Sequence, residues 1–150
     1  MVGYTQDVDP EKTAKALGIE MRISPKKCKE VCCNIRGMKV EEAKRFLREV
    51  IVLKRPVKYT HYKKYLSHKP GVGPGRYPQK VAKAILRVIE SAQQNAEYKG
   101  LDSENMRIHT IAIHRGRIMK GMMPRAFGRS TQWNDLTSHI EVILEEVEVS

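Results

Sequence analysis

The chain has 150 residues, a formal net charge of +11 and a pI near 9.7. That length suits one domain with a modest core, and that charge favours a polyanionic partner. No run approaches the roughly 18 apolar residues of a membrane span, and the opening MVGYTQDVDP lacks the apolar stretch of a secretion signal.

The charge is segregated. Residues 50–89 hold ten Lys/Arg and no acid, and residues 105–134 hold six, again with no acid. These two stretches carry sixteen of the 28 bases, while the rest of the chain carries all 17 acids. A surface built only for solubility mixes its signs. The three cysteines, Cys28, Cys32 and Cys33, crowd one segment, which suits reduced cytosolic thiols better than a disulfide frame.

Residues 1–13 are polar and expected to be irregular. Leu17, Ile19, Met21 and Ile23 alternate with Gly18, Glu20 and Arg22, the pattern of a half-buried strand. Ser24 and Pro25 mark a helix start, with Ser as the cap and Pro at the first helical position. Cys28, Val31, Cys32 and Ile35 follow at i, i+3, i+4 and i+7, and Gly37 ends the helix. This spacing accounts for Cys28 and Cys32 as core residues; the rival reading, a metal site, lacks a Cys-x2-Cys pair and a neighbouring His.

Val40, Ala43, Phe46, Leu47, Val50 and Ile51 keep helical spacing through a second helix, with Glu41 and Glu42 in its first turn and Pro56 barring its continuation. Residues 57–78, VKYTHYKKYLSHKPGVGPGRYP, form a basic loop broken by Pro and Gly, with Tyr59, Tyr62, Tyr65 and Tyr77 interleaved. Aromatics among cations suit stacking on bases together with phosphate pairing. The competing reading is a surface loop whose tyrosines pack on the core. Its candidate RNA contacts are Lys58, Tyr62, Lys63, Lys64, Lys69 and Arg76. GVGPG has no following Lys-Ser/Thr and is not a nucleotide-binding loop. Pro78 begins the longest helix, running to about Tyr98 and closed by Gly100, with a buried stripe of Val81, Ala82, Ile85, Val88, Ile89, Ala92 and Ala96. Lys80, Lys83 and Arg87 lie off the stripe and are candidates to face the same partner.

Residues 106–113 read as a strand, with Ile108, Thr110 and Ala112 on one face and Arg107, His109, Ile111 and Ile113 on the other. Residues 116–128, with three glycines, Pro124 and three methionines, cannot form a regular helix. Residues 138–149 read as the returning strand: Ile140, Val142 and Leu144 on one face, His139, Glu141 and Glu145 on the other. The acidic end, residues 141–148, is expected to face solvent or pair with basic neighbours. Together these make an extended hairpin with a basic tip. A two-stranded ribbon buries its apolar side chains only in part, so the distal half is expected to be loose alone and ordered by a polyanion, RNA foremost. Arg115, Arg117, Lys120, Arg125 and Arg129 are the candidate contacts, arginine adding planar, bidentate contacts. The glycines would let the backbone approach RNA closely, and the methionines would either fit an irregular wall or pack the hairpin end.

An RNA-cutting enzyme would need carboxylates within the basic surface. Both basic stretches lack them, and His61, His68, His109 and His114 have no obvious nucleophile or carboxylate partner. No catalytic residue, metal site or cofactor is expected. A free-standing RNA-binding or RNA-chaperone module would use the same basic stretches.

SPKKCKEVCCNIRGMKVEEAKRFL, residues 24–47, resembles the opening helices of the L-twenty-two family of large-subunit ribosomal proteins. NAEYKGLDSENMRIHTIAIHRGRIMKGMMPRAFGR, residues 95–129, resembles its third helix and hairpin, with MMPRAFGR the most specific part. The resemblance runs from about residue 16 to 146, and the loop at residues 54–77 is similar to the archaeal branch, longer than the bacterial one. It implies an α+β fold, three helices packed on a small antiparallel sheet with a long protruding β-hairpin. It implies a single domain, globular over about 14–104 and 136–150 with the hairpin over about 105–135. It also implies a cytoplasmic, structural constituent of the large ribosomal subunit that binds large-subunit rRNA and contacts several rRNA domains during assembly. The carried-over tip, Lys120, Gly121, Met122, Met123, Pro124, Arg125, Ala126, Phe127 and Gly128, would line the peptide exit tunnel. Implied partners are that rRNA, neighbouring ribosomal proteins at the tunnel exit and constriction, and the nascent peptide transiently.

Overall fold

The computed structural model describes residues 3–103 and 105–147. Sequence expectations that touch residues 1, 2, 104 and 148–150, including the returning strand beyond 147 and the boundaries at 104 and 150, lie outside the described residues. Within them the chain runs β1 (Thr13–Met21), α1 (Pro25–Ile35), α2 (Val40–Ile51), β2 (Val57–Lys58), β3 (His68–Lys69), β4 (Gly73–Arg76), α3 (Gln79–Tyr98), β5 (Met106–Met119), β6 (Met122–Pro124), β7 (Ser130–Gln132) and β8 (Asp135–Glu146). The fold is α+β. β8 lies at the centre of an antiparallel sheet ordered β1-β8-β5. α3 packs on β1 and β8, α1 on β5, and α2 on α3.

The helices follow their apolar spacing. Cys28, Val31, Cys32 and Ile35 of α1, Val40, Ala43, Phe46, Leu47 and Val50 of α2, and the whole stripe expected of α3 are buried in one core. Ser24 occupies the cap position of α1 with extended backbone, but its hydroxyl makes no capping bond. Pro25 still opens the helix, because the first turn has no use for the missing N–H. Residues 57–76 are more ordered than a plain loop: β2, β4 and β3 form a small antiparallel sheet.

The strands depart from simple alternation. β1 begins at Thr13, inside the segment expected to be irregular, and Ala14 and Ala16 are its buried apolar residues, opposite Leu144 and Val142. Ile19, expected to be half-buried, is 61% exposed. The register shifts between Gly18 and Met21, where Glu20 adopts φ 49°, so the alternation does not carry through. In β5 the pairing passes from Ile108↔Leu144 to Thr110↔Ile143, so one extra residue enters the strand. That bulge exchanges the faces. Ile108 and Ile111, expected on opposite sides, therefore both reach the core, while Thr110 and Ala112 turn outward with Ile143 and Glu141.

The outer face of the sheet is also covered. Thr5 donates its backbone N–H to Glu141 Oε1 at 3.0 Å and its hydroxyl at 2.9 Å, and Thr110 donates its hydroxyl to Gln6 at 2.5 Å. Glu141 is fully buried, not solvent-facing as its place in the acidic end suggested. Glu145 does meet a basic neighbour, Arg107, at 2.9 Å.

Candidate nucleic-acid interface

Beyond the core, β5 and β8 continue as a two-stranded stem. Arg115 pairs with Ser138, the register shifts again, and Ile118 and Met119 pair with Leu136 and Asp135. The tip closes through β6 and β7, with the Arg125 N–H donating to the Arg129 carbonyl at 2.8 Å. Two glycines serve this ribbon itself. A Cβ on Gly121 would stand 2.4 Å from the Trp133 carbonyl oxygen, and one on Gly116 would stand 2.4 Å from Thr137 Oγ1. Only glycine lets the two strands approach so closely at these points.

Arg115, Arg117, Lys120, Arg125 and Arg129 are exposed. Among the described residues none of them forms an ion pair with a carboxylate. Arg125 Nε donates to Thr131 Oγ1 at 3.1 Å, which ties its guanidinium to β7. The tip side chains Met122, Pro124 and Ala126 are exposed, Met123 is half-buried, and Phe127 is 97% exposed in a left-handed backbone conformation at φ 59°. Ile118, Met119, Trp133 and Leu136 extend this apolar surface down the stem.

In the basic loop the tyrosines divide. Tyr59 is buried and packs on the core, whereas Tyr62 and Tyr65 are exposed and Tyr77 is half-buried. Lys64 stands 5.2 Å from the Tyr65 ring centre and Lys69 5.6 Å from that of Tyr77, both cation–π contacts. Arg76 donates to the Tyr65 carbonyl at 3.4 Å. Lys58 and Lys63 are exposed. On α3, Lys80 joins Arg22 and Lys27 in a cleft of about 500 Å³ at the foot of the hairpin. Lys83 and Arg87 stand exposed about one and two turns further along. Tyr62 is drawn to α1, with Lys26 Nζ and Lys29 Nζ 5.7 and 6.0 Å from its ring centre.

Lys26, Lys27, Lys29 and Arg36 do not stand out in the sequence, because Glu30 interrupts their run. The structure removes that acid from the surface. Glu30 is 0% exposed and accepts backbone N–H groups from Thr60 at 2.8 Å, His61 at 3.0 Å and Tyr62 at 2.6 Å. Burial alone would push its carboxyl up; the three N–H groups outweigh burial and hold it below its ordinary value. One carboxylate thus fastens the 59–62 turn to α1 and leaves the outer face of the helix basic.

The remaining chemistry-bearing residues have structural surroundings. Burial pushes the Cys28 thiol up to about 12 and raises that of Cys32 as well. Cys33 is exposed. His114, which had no carboxylate partner in the sequence reading, has one: its Nε2 lies 3.4 Å from Glu141 Oε2. That carboxylate is buried and already bound by Thr5. Among the described residues no group of three or more His, Cys, Asp and Glu could hold a metal ion, and no helix is long and apolar enough to cross a membrane.

An α+β domain with a protruding, cation-bearing hairpin whose residues 105–134 hold no acid has the build of a polyanion-binding protein. The family described as Ribosomal protein L22p/L17e matches residues 16–145. The chain is 51% identical to the large ribosomal subunit protein uL22 of Methanopyrus kandleri, over 94% of this chain and 91% of that one. It is 49% identical to the uL22 of Methanocaldococcus jannaschii, over 95% and 94%. With that of Methanocella arvoryzae the identity is 46%, over 97% of each. The chain belongs to the Ribosomal protein L22p/L17e family.

Proposed function

We propose that this protein is a structural constituent of the large ribosomal subunit, with no chemistry of its own. It works as one domain in two parts. The globular part, through the basic loop and the exposed cations of α3, holds large-subunit rRNA at the surface. The hairpin enters the RNA, contacts several rRNA domains during assembly, and lines the peptide exit tunnel with residues 120–128. Neighbouring ribosomal proteins and, transiently, the nascent peptide complete its surroundings.

The observation that carries this reading is the hairpin: five exposed cations with no carboxylate partner among the described residues, on a ribbon with little core of its own. Such a ribbon gains its stabilisation by neutralising phosphates and releasing their counterions. Its exposed apolar tip fits a site enclosed by a partner rather than open water.

The test is ultraviolet crosslinking in native cell extract, with the linked RNA sequenced and the linked residues mapped. The expected result is crosslinks from the hairpin to several separate regions of large-subunit rRNA, with the protein staying on large subunits through a high-salt gradient. Crosslinks scattered over messenger and transfer RNAs, with none in the large subunit, would assign a free-standing RNA-binding module instead.

A further inference from the structure

We infer that the cleft between α1, the 59–62 turn and the hairpin stem is a seat for one unpaired RNA nucleotide, its phosphate on Lys26, Lys29 and Arg115 and its base against Tyr62. The inference rests on the rRNA-binding role proposed above and adds to it a contact away from the hairpin tip.

The cleft measures about 440 Å³, the scale of a single small-molecule site and too small for a duplex. Two separate parts of the chain bring cations to it, Lys26 and Lys29 from α1 with Arg36 at its C-terminal cap, and Arg115 from β5, while the turn adds the His61 ring. Among the described residues no carboxylate lines it. Glu30, the one acid of α1, is turned away beneath the turn, where it is spent on three backbone N–H groups. The charged side chains that line the cleft are therefore all positive.

The spacing is helical. Lys26, Lys29, Cys33 and Arg36 fall at i, i+3, i+7 and i+10 and so share one face of α1, which looks into the cleft. Arg36 is anchored by donating to the Ile111 carbonyl at 3.1 Å. The half-buried Ala112 and Ile113 add apolar lining, with the fully buried Ile111 behind them. Tyr62 stands in the wall, its backbone pinned by the 2.6 Å bond to Glu30, so the point from which its ring projects is set before any ligand arrives. Both lysine ammonium groups lie over that ring, at 5.7 and 6.0 Å. A phosphate that draws the two ammonium groups off the ring frees an aromatic face within reach of its own base. Cations beside an aromatic ring and an apolar surface match an unstacked nucleotide, which offers a flat face as well as a charge. An acidic peptide offers the charge alone.

Cys33 lines the same cleft and is the exposed cysteine of the three, so its alkylation by iodoacetamide reports on occupancy. The experiment measures that rate in the full-length protein, free and bound to purified large-subunit rRNA. Binding is expected to slow alkylation about tenfold or more, as one occupied site shields the thiol. Tyr62→Ala is expected to weaken binding about tenfold, the size of one lost stacked base, and Tyr62→Phe to leave it unchanged. Lys29→Gln is expected to reduce the log–log salt slope by about 0.7–0.9. All three substitutions lie at exposed positions, so the fold persists. A bound protein whose Cys33 reacts at the free rate, or a Tyr62→Ala variant that binds like the parent, would overturn the cleft site while leaving the rRNA role standing. Equal protection by poly-glutamate would overturn the nucleotide as its ligand. A protein that fails to bind the rRNA at all would overturn both.

Discussion

Glu30 fastens the 59–62 turn to α1, though its neighbours in sequence present it as an ordinary surface acid. Glu30→Gln removes an acceptor of charge-assisted bonds and sets an amide N–H₂ against backbone donors. The expected loss is about 2–3 kcal/mol, measured by urea unfolding at pH 7. The loss depends on pH with a definite sign. Because the folded carboxyl lies below its ordinary value of 4.5, its stabilisation is full above that pH and fades as pH falls through the folded value. Stability curves of the parent and Glu30→Gln are expected to run apart at neutral pH and converge in acid; a constant gap down to pH 2 would contradict the ionised, hydrogen-bonded state. Gly121 illustrates a constraint of space. Gly121→Ala forces away the Trp133 backbone in the link between β7 and β8, at a local cost of about 1–3 kcal/mol. The expected readout is faster amide exchange in β6 and β7 with core protection unchanged. Neither constraint is written in a motif, since the partner in each case is backbone from elsewhere in the chain.

At the scale of elements, the hairpin and the globular core separate in their demands. The core residues lie on α1, α2, α3, β1, β8, the first half of β5 and the start of the 57–76 segment. Deleting residues 119–129 is therefore expected to leave cooperative unfolding intact, with a midpoint close to that of the full chain in a thermal melt. Loss of the cooperative transition would mean that the tip supports the core. In the proposed rRNA complex, replacing Arg115, Arg117, Lys120, Arg125 and Arg129 with uncharged residues is expected to lower the log–log salt slope by about 3.5–4.5 units. An unchanged slope would move the RNA face elsewhere. The helices were legible because their evidence is local. Cys28, Val31, Cys32 and Ile35 announce a buried face by spacing alone, and Pro25 and Gly37 bracket it. The strands were legible as strands but not in phase. One extra residue between Ile108 and Thr110 exchanges the faces as far as the second shift between Arg115 and Ile118, and nothing in an Ile/Thr-rich run marks where it enters.

Across the whole molecule, burial tests that phase. Ile111→Ala is expected to cost about 2–5 kcal/mol, because Ile111 fills the core opposite Val142. Ile19→Ala, at an exposed position, is expected to fall within about 0.5 kcal/mol. Chemical unfolding of the two variants decides it, and similar losses would restore simple alternation. The basic surface also changes at this scale. The sequence places cations in two acid-free stretches, yet the folded chain adds Lys26, Lys29 and Arg36 from a third segment and sets them beside Tyr62 and Arg115. The amino-acid order by itself determined the helices, their core stripes, the hairpin and the segregation of charge, because each depends on neighbours within a few turns or on simple composition. The tertiary structure alone decided which strand face is buried, that Glu30 and Glu141 leave the surface, and which cations share a cleft. Those outcomes depend on register and on contacts between residues far apart in sequence, where a one-residue shift or a single buried hydrogen bond reverses the result.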